Sequence, residues 1–93
     1  MIRLQVTIKN QAGLHARPSA TLVKVASKYQ SEFSIYLNGY RVNGKSILGV
    51  MTLAAEFGAI LDFEFEGVDE KEAMEAVVDL VNNKFQLHED QNI

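Results

Sequence analysis

Apolar and polar residues alternate from Arg3 to Lys9, with Leu4, Val6 and Ile8 on one side and Arg3, Gln5, Thr7 and Lys9 on the other. A period of two is the mark of a strand with one wet face. Asn10 to Gly13 predicts a turn. Residues 16–28 then change to helical spacing, with Ala16, Ala20, Val23 and Ala26 on one stripe and Lys24 and Lys28 off it. Small alanines on that stripe would let the helix approach a sheet closely. Phe33, Ile35 and Leu37 alternate again and end at Asn38-Gly39, a dipeptide that accepts the left-handed angles of a tight hairpin turn. Tyr40 to Val42 is the expected return strand, closed by Asn43-Gly44.

Lys45 to Ala55 predicts a short helix capped by Ser46 and ended by Phe57-Gly58. Ile60, Leu61, Phe63 and Phe65 against Asp62, Glu64 and Glu66 predict a further strand with a charged face. Asp69 and Glu72 have the spacing of a capping box for a last helix reaching Asn82 or Asn83. Its core stripe is Ala73, Val77, Leu80 and Val81, and its wet face Glu72, Glu75 and Asp79. Phe85 and Leu87 are expected to fold back onto the core. The order is βαββαβα, and half-wet strands call for an antiparallel sheet with helices on one side only, an α+β fold. Residues 1–85 read as one domain and 86–93 as a loose tail.

Composition narrows the chemistry. The chain has 93 residues, enough for one modest core, and no cysteine, so disulfides, thiolate metal sites and thiol catalysis are excluded. No apolar run approaches the ~18 residues of a membrane span, and Met1 to Val6 alternates at once, unlike a signal peptide. A soluble cytoplasmic protein without membrane insertion is the expectation. The net charge of −3 comes without a basic stripe, which argues against a nucleic-acid partner. Acids crowd Asp62 to Asp79, while His15, Arg17, Lys24, Lys28 and Arg41 lie earlier, a polarity that would steer acidic partners toward His15. The two histidines are far apart and His88 falls in the tail, so no metal site is expected. The chain is also too small to enclose a cofactor pocket beside its core.

The candidate chemistry lies in Gly13-Leu14-His15-Ala16-Arg17-Pro18. Proline is tolerated in a first helical turn because the amides there have no intrahelical partner. Those amides and the positive end of the helix dipole make a seat for an anion. His15 stands at its edge, as a phosphoryl carrier or as a residue that merely caps its helix. Arg17 offers a fork of donors for phosphate oxygens, or is an ordinary surface arginine. A cation there opposes the helix dipole, which suggests a compensating anion.

Ser46 taken alone is a helix cap. Its helix, however, is apolar on too many sides: if Val50 and Leu53 turn inward, Ile47, Leu48 and Met51 stay wholly or partly exposed. An exposed patch containing methionine suits docking. Gly49 in mid-helix is unfavourable and fits either close approach by a partner or surface tolerance.

Gly13-Leu14-His15-Ala16-Arg17-Pro18-Ser19-Ala20 and Asn43-Gly44-Lys45-Ser46-Ile47-Leu48-Gly49-Val50-Met51 resemble the active-site and serine-site segments of the HPr phosphocarriers of the phosphoenolpyruvate-dependent phosphotransferase system. The resemblance covers residues 2 to about 84 and includes the spacing of the two segments. It implies an open-faced β-sandwich, a four-stranded antiparallel sheet with three helices on one face. His15 would carry the phosphoryl group on Nδ1, loaded by enzyme I from phosphoenolpyruvate and passed to a histidine of a IIA-type component, and Arg17 would contact the phosphate. Ser46 would align with the serine modified by HPr kinase/phosphorylase. Ala16, Ala20, Ile47, Leu48, Gly49 and Met51 would form the partner surface of a monomer that needs no metal or cofactor of its own.

Two departures bear on this. Ala12 stands where many sugar-transport members have a small polar residue, which removes a side-chain hydrogen bond near the phosphate. Asn82-Asn83-Lys84-Phe85 resembles the tails of nitrogen-related members, leaving sugar uptake and a regulatory relay both open. A purely regulatory interaction module acting through Ser46 is the alternative from another class. A stand-alone enzyme is disfavoured because no second chemical group accompanies His15.

Overall fold

The computed structural model describes residues 1–86. Elements follow in the order β1 (Ile2–Thr7), α1 (Ala16–Ala26), β2 (Glu32–Leu37), β3 (Tyr40–Asn43), α2 (Ile47–Thr52), β4 (Ile60–Glu66) and α3 (Glu70–Asn82). The strands form one four-stranded antiparallel sheet in the order β1-β4-β2-β3. The expected βαββαβα order is present. Asn38 and Gly39 both take positive φ, at 53° and 84°, as the hairpin between β2 and β3 requires.

Register makes the core. Leu4 pairs with Phe63 and Val6 with Leu61, while Phe33 pairs with Phe65 and Ile35 with both Phe63 and Val42. The alternation therefore delivers one apolar face. On it Phe33 stacks on Phe65 with centroids 4.6 Å apart, and Phe63 meets Phe33 edge-on at 5.0 Å. The opposite face is polar: Arg3 pairs with Asp62 at 3.3 Å and Glu64 at 3.5 Å, and lies over the Tyr36 ring. Helix α3 covers the apolar face with Ala73, Val77, Leu80 and Val81, the expected stripe, and Phe85 folds back to join it. Leu87, His88 and the rest of the expected tail lie outside the described residues.

Four expectations are corrected. Helix α1 buries Ser19, Leu22, Val25 and Ala26, so Ala16 and Ala20 face solvent while Val23 is only partly buried. A face centred on Leu22 removes more apolar area from water than one centred on alanines. Ser19 joins it without penalty because its hydroxyl donates to the Leu14 carbonyl at 3.1 Å. Ile60 is exposed, since strict alternation puts it on the side of Asp62. Helix α2 stops at Thr52 because Ala54 turns left-handed, with φ 51°.

The fourth correction concerns the capping box. Asp69 occupies the N-cap position of α3 but makes no side-chain cap bond. Its carboxylate reaches across the fold instead, accepting from the Gln30 and Ser31 amides at 2.9 Å each and from the Ser31 hydroxyl. Glu70, not Glu72, serves the helix start by accepting from the Gly67 amide at 3.1 Å. The Ser31 hydroxyl, then the Gln30 amide, hold the Asp69 carboxyl below its ordinary value. A folded-state value below the unfolded one stabilises the protein at neutral pH, and that contribution is lost as pH falls through the folded value. Asp69→Asn is therefore expected to melt lower than the parent at pH 7, by on the order of 5 °C. The gap should close below about pH 4 in thermal melts followed by circular dichroism. A gap independent of pH would rule out the carboxylate as its cause.

Candidate functional site around His15

The chain reaches His15 through a braced turn. Ile8 is held on both sides, its amide donating to the Ala59 carbonyl and its carbonyl accepting from Gly58, each at 2.9 Å. The turn closes when the Gly13 amide donates to the Asn10 carbonyl at 3.2 Å. The Asn10 side chain returns a bond, its Nδ2 donating to the Gly13 carbonyl at 2.9 Å. Gly13 has φ 72°, and a Cβ on it would overlap the Ala55 carbonyl oxygen and lie 2.9 Å from the Glu56 Cα. Only glycine fits. Leu14 follows, buried, with its amide donating to the Ala55 carbonyl at 2.8 Å.

His15 itself is extended, with φ −76° and ψ −174°, and exposed at the N-cap of α1. Its carbonyl accepts from the Ser19 amide at 2.9 Å, but its imidazole makes no capping bond. His15 therefore holds the N-cap position through its backbone alone. The amides of Ala16 and Arg17 precede the first intrahelical bond and are unpaired among the described residues, and Pro18 has none to offer. Arg17 is exposed, and among the described residues its guanidinium has no hydrogen-bond or ion-pair partner. Ala12 is exposed and brings no side-chain donor. The arrangement can receive an anion: it offers free amides, the helix dipole and an unengaged guanidinium within the first turn of α1.

Helices α1 and α2 pack against each other, with α2 also against β3. Ser46 caps α2 as expected, its Oγ accepting from the Gly49 amide at 3.0 Å. Gly49 has a reason inside the chain, because a Cβ there would meet Ser46 Oγ at 3.2 Å and Ser46 Cβ at 3.3 Å. Val50 is fully buried, whereas Leu48 is 76% exposed and Ile47 and Met51 are also open to solvent. Ala16 and Ala20 are exposed on α1, so all the expected apolar docking residues other than the half-buried Gly49 are accessible.

Sequence reasoning missed the Ala55 carbonyl and the Asn10 side chain as braces of the His15 loop. Asn followed by Gly three residues later is a turn signal that pointed to Asn10. A backbone carbonyl leaves no such mark. It also passed over Phe57 as an apolar side chain open to solvent, 62% exposed on the α2–β4 connection.

The family described as "PTS HPr component phosphorylation site" matches residues 2–83. The phosphocarrier protein HPr of Neisseria meningitidis is 46% identical over 85 residues, covering 91% of this chain and 96% of its own. A crystal structure of HPr from Thermoanaerobacter tengcongensis superposes with a TM-score of 0.89 at 43% identity, covering 94% of this chain and all of its own. An HPr dimer from the same organism matches with a TM-score of 0.74 at 42% identity, with the same coverage. Identity at this level along nearly the whole of both chains, on a shared fold, is decisive: the chain belongs to the HPr family of phosphocarrier proteins of the phosphotransferase system.

Proposed function

We propose that the protein carries a phosphoryl group on His15, received from phospho-enzyme I and handed to a histidine of a IIA-type protein. The observation that carries this reading is the exposed, uncapped His15 ring beside the free amides of Ala16 and Arg17. With the ring proton on Nε2, the Nδ1 lone pair attacks phosphorus in line. The bond from phosphorus to the donor atom breaks as the P–N bond forms. The first amides of α1 and the Arg17 guanidinium stabilise charge on the equatorial oxygens. The product keeps a high transfer potential, because protonation of the far ring nitrogen makes imidazole a good leaving group for the next acceptor.

The test is incubation with phosphoenolpyruvate, Mg²⁺ and a cognate enzyme I, followed by mass spectrometry. The expected result is a gain of one acid-labile phosphoryl group. No gain would reject the carrier and leave the module regulated at Ser46. In the carrier reading the protein acts as a monomer, and docking on the α1 and α2 surface is weak and brief, as repeated handover requires.

Arg17→Ala should melt like the parent, since its side chain has no partner to lose among the described residues. Its transfer rate should fall on the order of tenfold or more, the equivalent of one charge-assisted hydrogen bond. Arg17→Lys should restore only part of the rate, because lysine lacks the fork. Parental rates for Arg17→Ala with both enzyme I and a IIA acceptor would remove Arg17 from the site.

Ser46 is the proposed regulatory position, a substrate for an HPr kinase/phosphorylase in a host that has one. A phosphate there adds about −1.5 to −2 charges at a helix start that accommodates them. The charge would lie beside Ile47, Leu48 and Met51, where it repels an acidic partner surface. Ser46→Asp is expected to raise the KM for enzyme I by about tenfold, or ~1.4 kcal/mol, with circular dichroism unchanged. Equal kinetics would return Ser46 to the role of plain helix cap.

A further inference from the structure

We infer that Asn10 is a positioning residue for phosphoryl transfer at His15, acting through the amide N–H that its side chain donates to the Gly13 carbonyl. The inference rests on the carrier reading of His15. One peptide group explains it. The carbonyl of Gly13 and the amide of Leu14 are the two ends of the same planar unit. Asn10 Nδ2 holds the carbonyl end at 2.9 Å, and the Ala55 carbonyl holds the amide end at 2.8 Å. A plane fixed at both ends sets the direction in which the chain enters His15, one residue later. Gly13, at φ 72°, has no Cβ to restrict its torsions. The Asn10 bond removes that freedom where it would most disturb the imidazole.

For stability alone asparagine is a poor choice at this position. Its Oδ1 is buried and has no hydrogen-bond partner among the described residues, which is unfavourable. The donor is used and the acceptor is stranded. The position gains from an N–H aimed at Gly13, at some expense to the fold.

The substitutions exploit that imbalance. Asn10→Ala removes the bond and the stranded oxygen together, so the two effects oppose each other and the melting temperature should move little. The turnover of His15 phosphorylation by phospho-enzyme I should nonetheless fall roughly tenfold, with KM unchanged, because a displaced loop spoils alignment and leaves docking intact. Asn10→Asp keeps the shape. A protonated carboxyl can still donate to the Gly13 carbonyl, but the ionised one sets an oxygen against it and buries the other without a donor. Its carboxyl should therefore titrate above the usual carboxylate range.

The turnover of Asn10→Asp divided by that of the parent should fall as pH rises through that titration. Lys9, His15 and Glu56, the charged or titratable residues of this loop and of the α2–β4 connection against it, are common to both proteins, so the ratio removes them. Circular dichroism at each pH confirms that both proteins are folded. With a parent that accepts phosphoryl groups, a parental turnover for Asn10→Ala or a flat ratio for Asn10→Asp overturns the inference. A parent that accepts none overturns the carrier reading itself, and the inference with it.

Discussion

His15→Ala is expected to take up no phosphoryl group from phospho-enzyme I, yet to unfold at the temperature of the parent. The combination follows from where the side chain stands. The imidazole is exposed and makes no capping bond, so alanine costs the helix no hydrogen bond, and histidine is not among the favoured N-cap residues. The braces of the loop are backbone bonds at Ile8, Gly13 and Leu14 and the Asn10 side chain, none of which involves the imidazole. In the carrier reading, what disappears is the nucleophile. The other histidine of the chain, His88, is present in both proteins, so a difference between them reports on His15. Mass spectrometry of both proteins, with phosphoenolpyruvate, Mg²⁺ and enzyme I, measures the difference directly. An acid-labile phosphoryl group on His15→Ala would place the acceptor elsewhere, and a large drop in melting temperature would make His15 structural.

Gly13→Ala is expected to damage both stability and transfer. The left-handed backbone costs an alanine about 1–2 kcal/mol, and the overlap with Ala55 adds strain on the order of 1 kcal/mol or more. To relieve it the loop must move off the α2–β4 connection, which weakens the Leu14 to Ala55 bond and shifts His15. Displacement on the order of 1 Å is enough to slow the reaction by about a hundredfold. Gly39→Ala is the control. Gly39 has φ 84° but nothing within 4 Å of an added Cβ, so it has the backbone strain without the collision. Urea unfolding should show both variants destabilised, and rapid-quench phosphorylation should show only Gly13→Ala slowed. Equal transfer rates for the two would mean that the contact with Ala55 does not position the histidine.

Much of this was legible in the chain because it is local. The alternation in residues 3–9, 33–37 and 60–66 and the Asn38-Gly39 turn are short-range signals, and each corresponds to an observed element. The His15 segment is local too, since a proline and a histidine at a helix start announce themselves within a few residues. The phase of α1 was misjudged because alanines at 16, 20 and 26 fit one stripe, while the larger Leu22 decides which face is buried. The role of Asp69 was hidden for a different reason. Its spacing to Glu72 matches a capping box, but its partners lie 38 and 39 residues upstream, and no local pattern encodes that distance. Ala55 was invisible because any residue has a carbonyl.

The bracing of the His15 loop has a consequence for a growing chain. The loop is made before its anchors at Ala55, Gly58 and Ala59 and the strand that pairs with β1, which come from residues 55–66. Pairings across such sequence separations form late, after the intervening chain is available. A nascent or prematurely ended chain thus displays the His-Ala-Arg-Pro segment without the geometry around it. In the carrier reading, vectorial synthesis would make the protein a substrate for its partners only once residues 55–66 have been built.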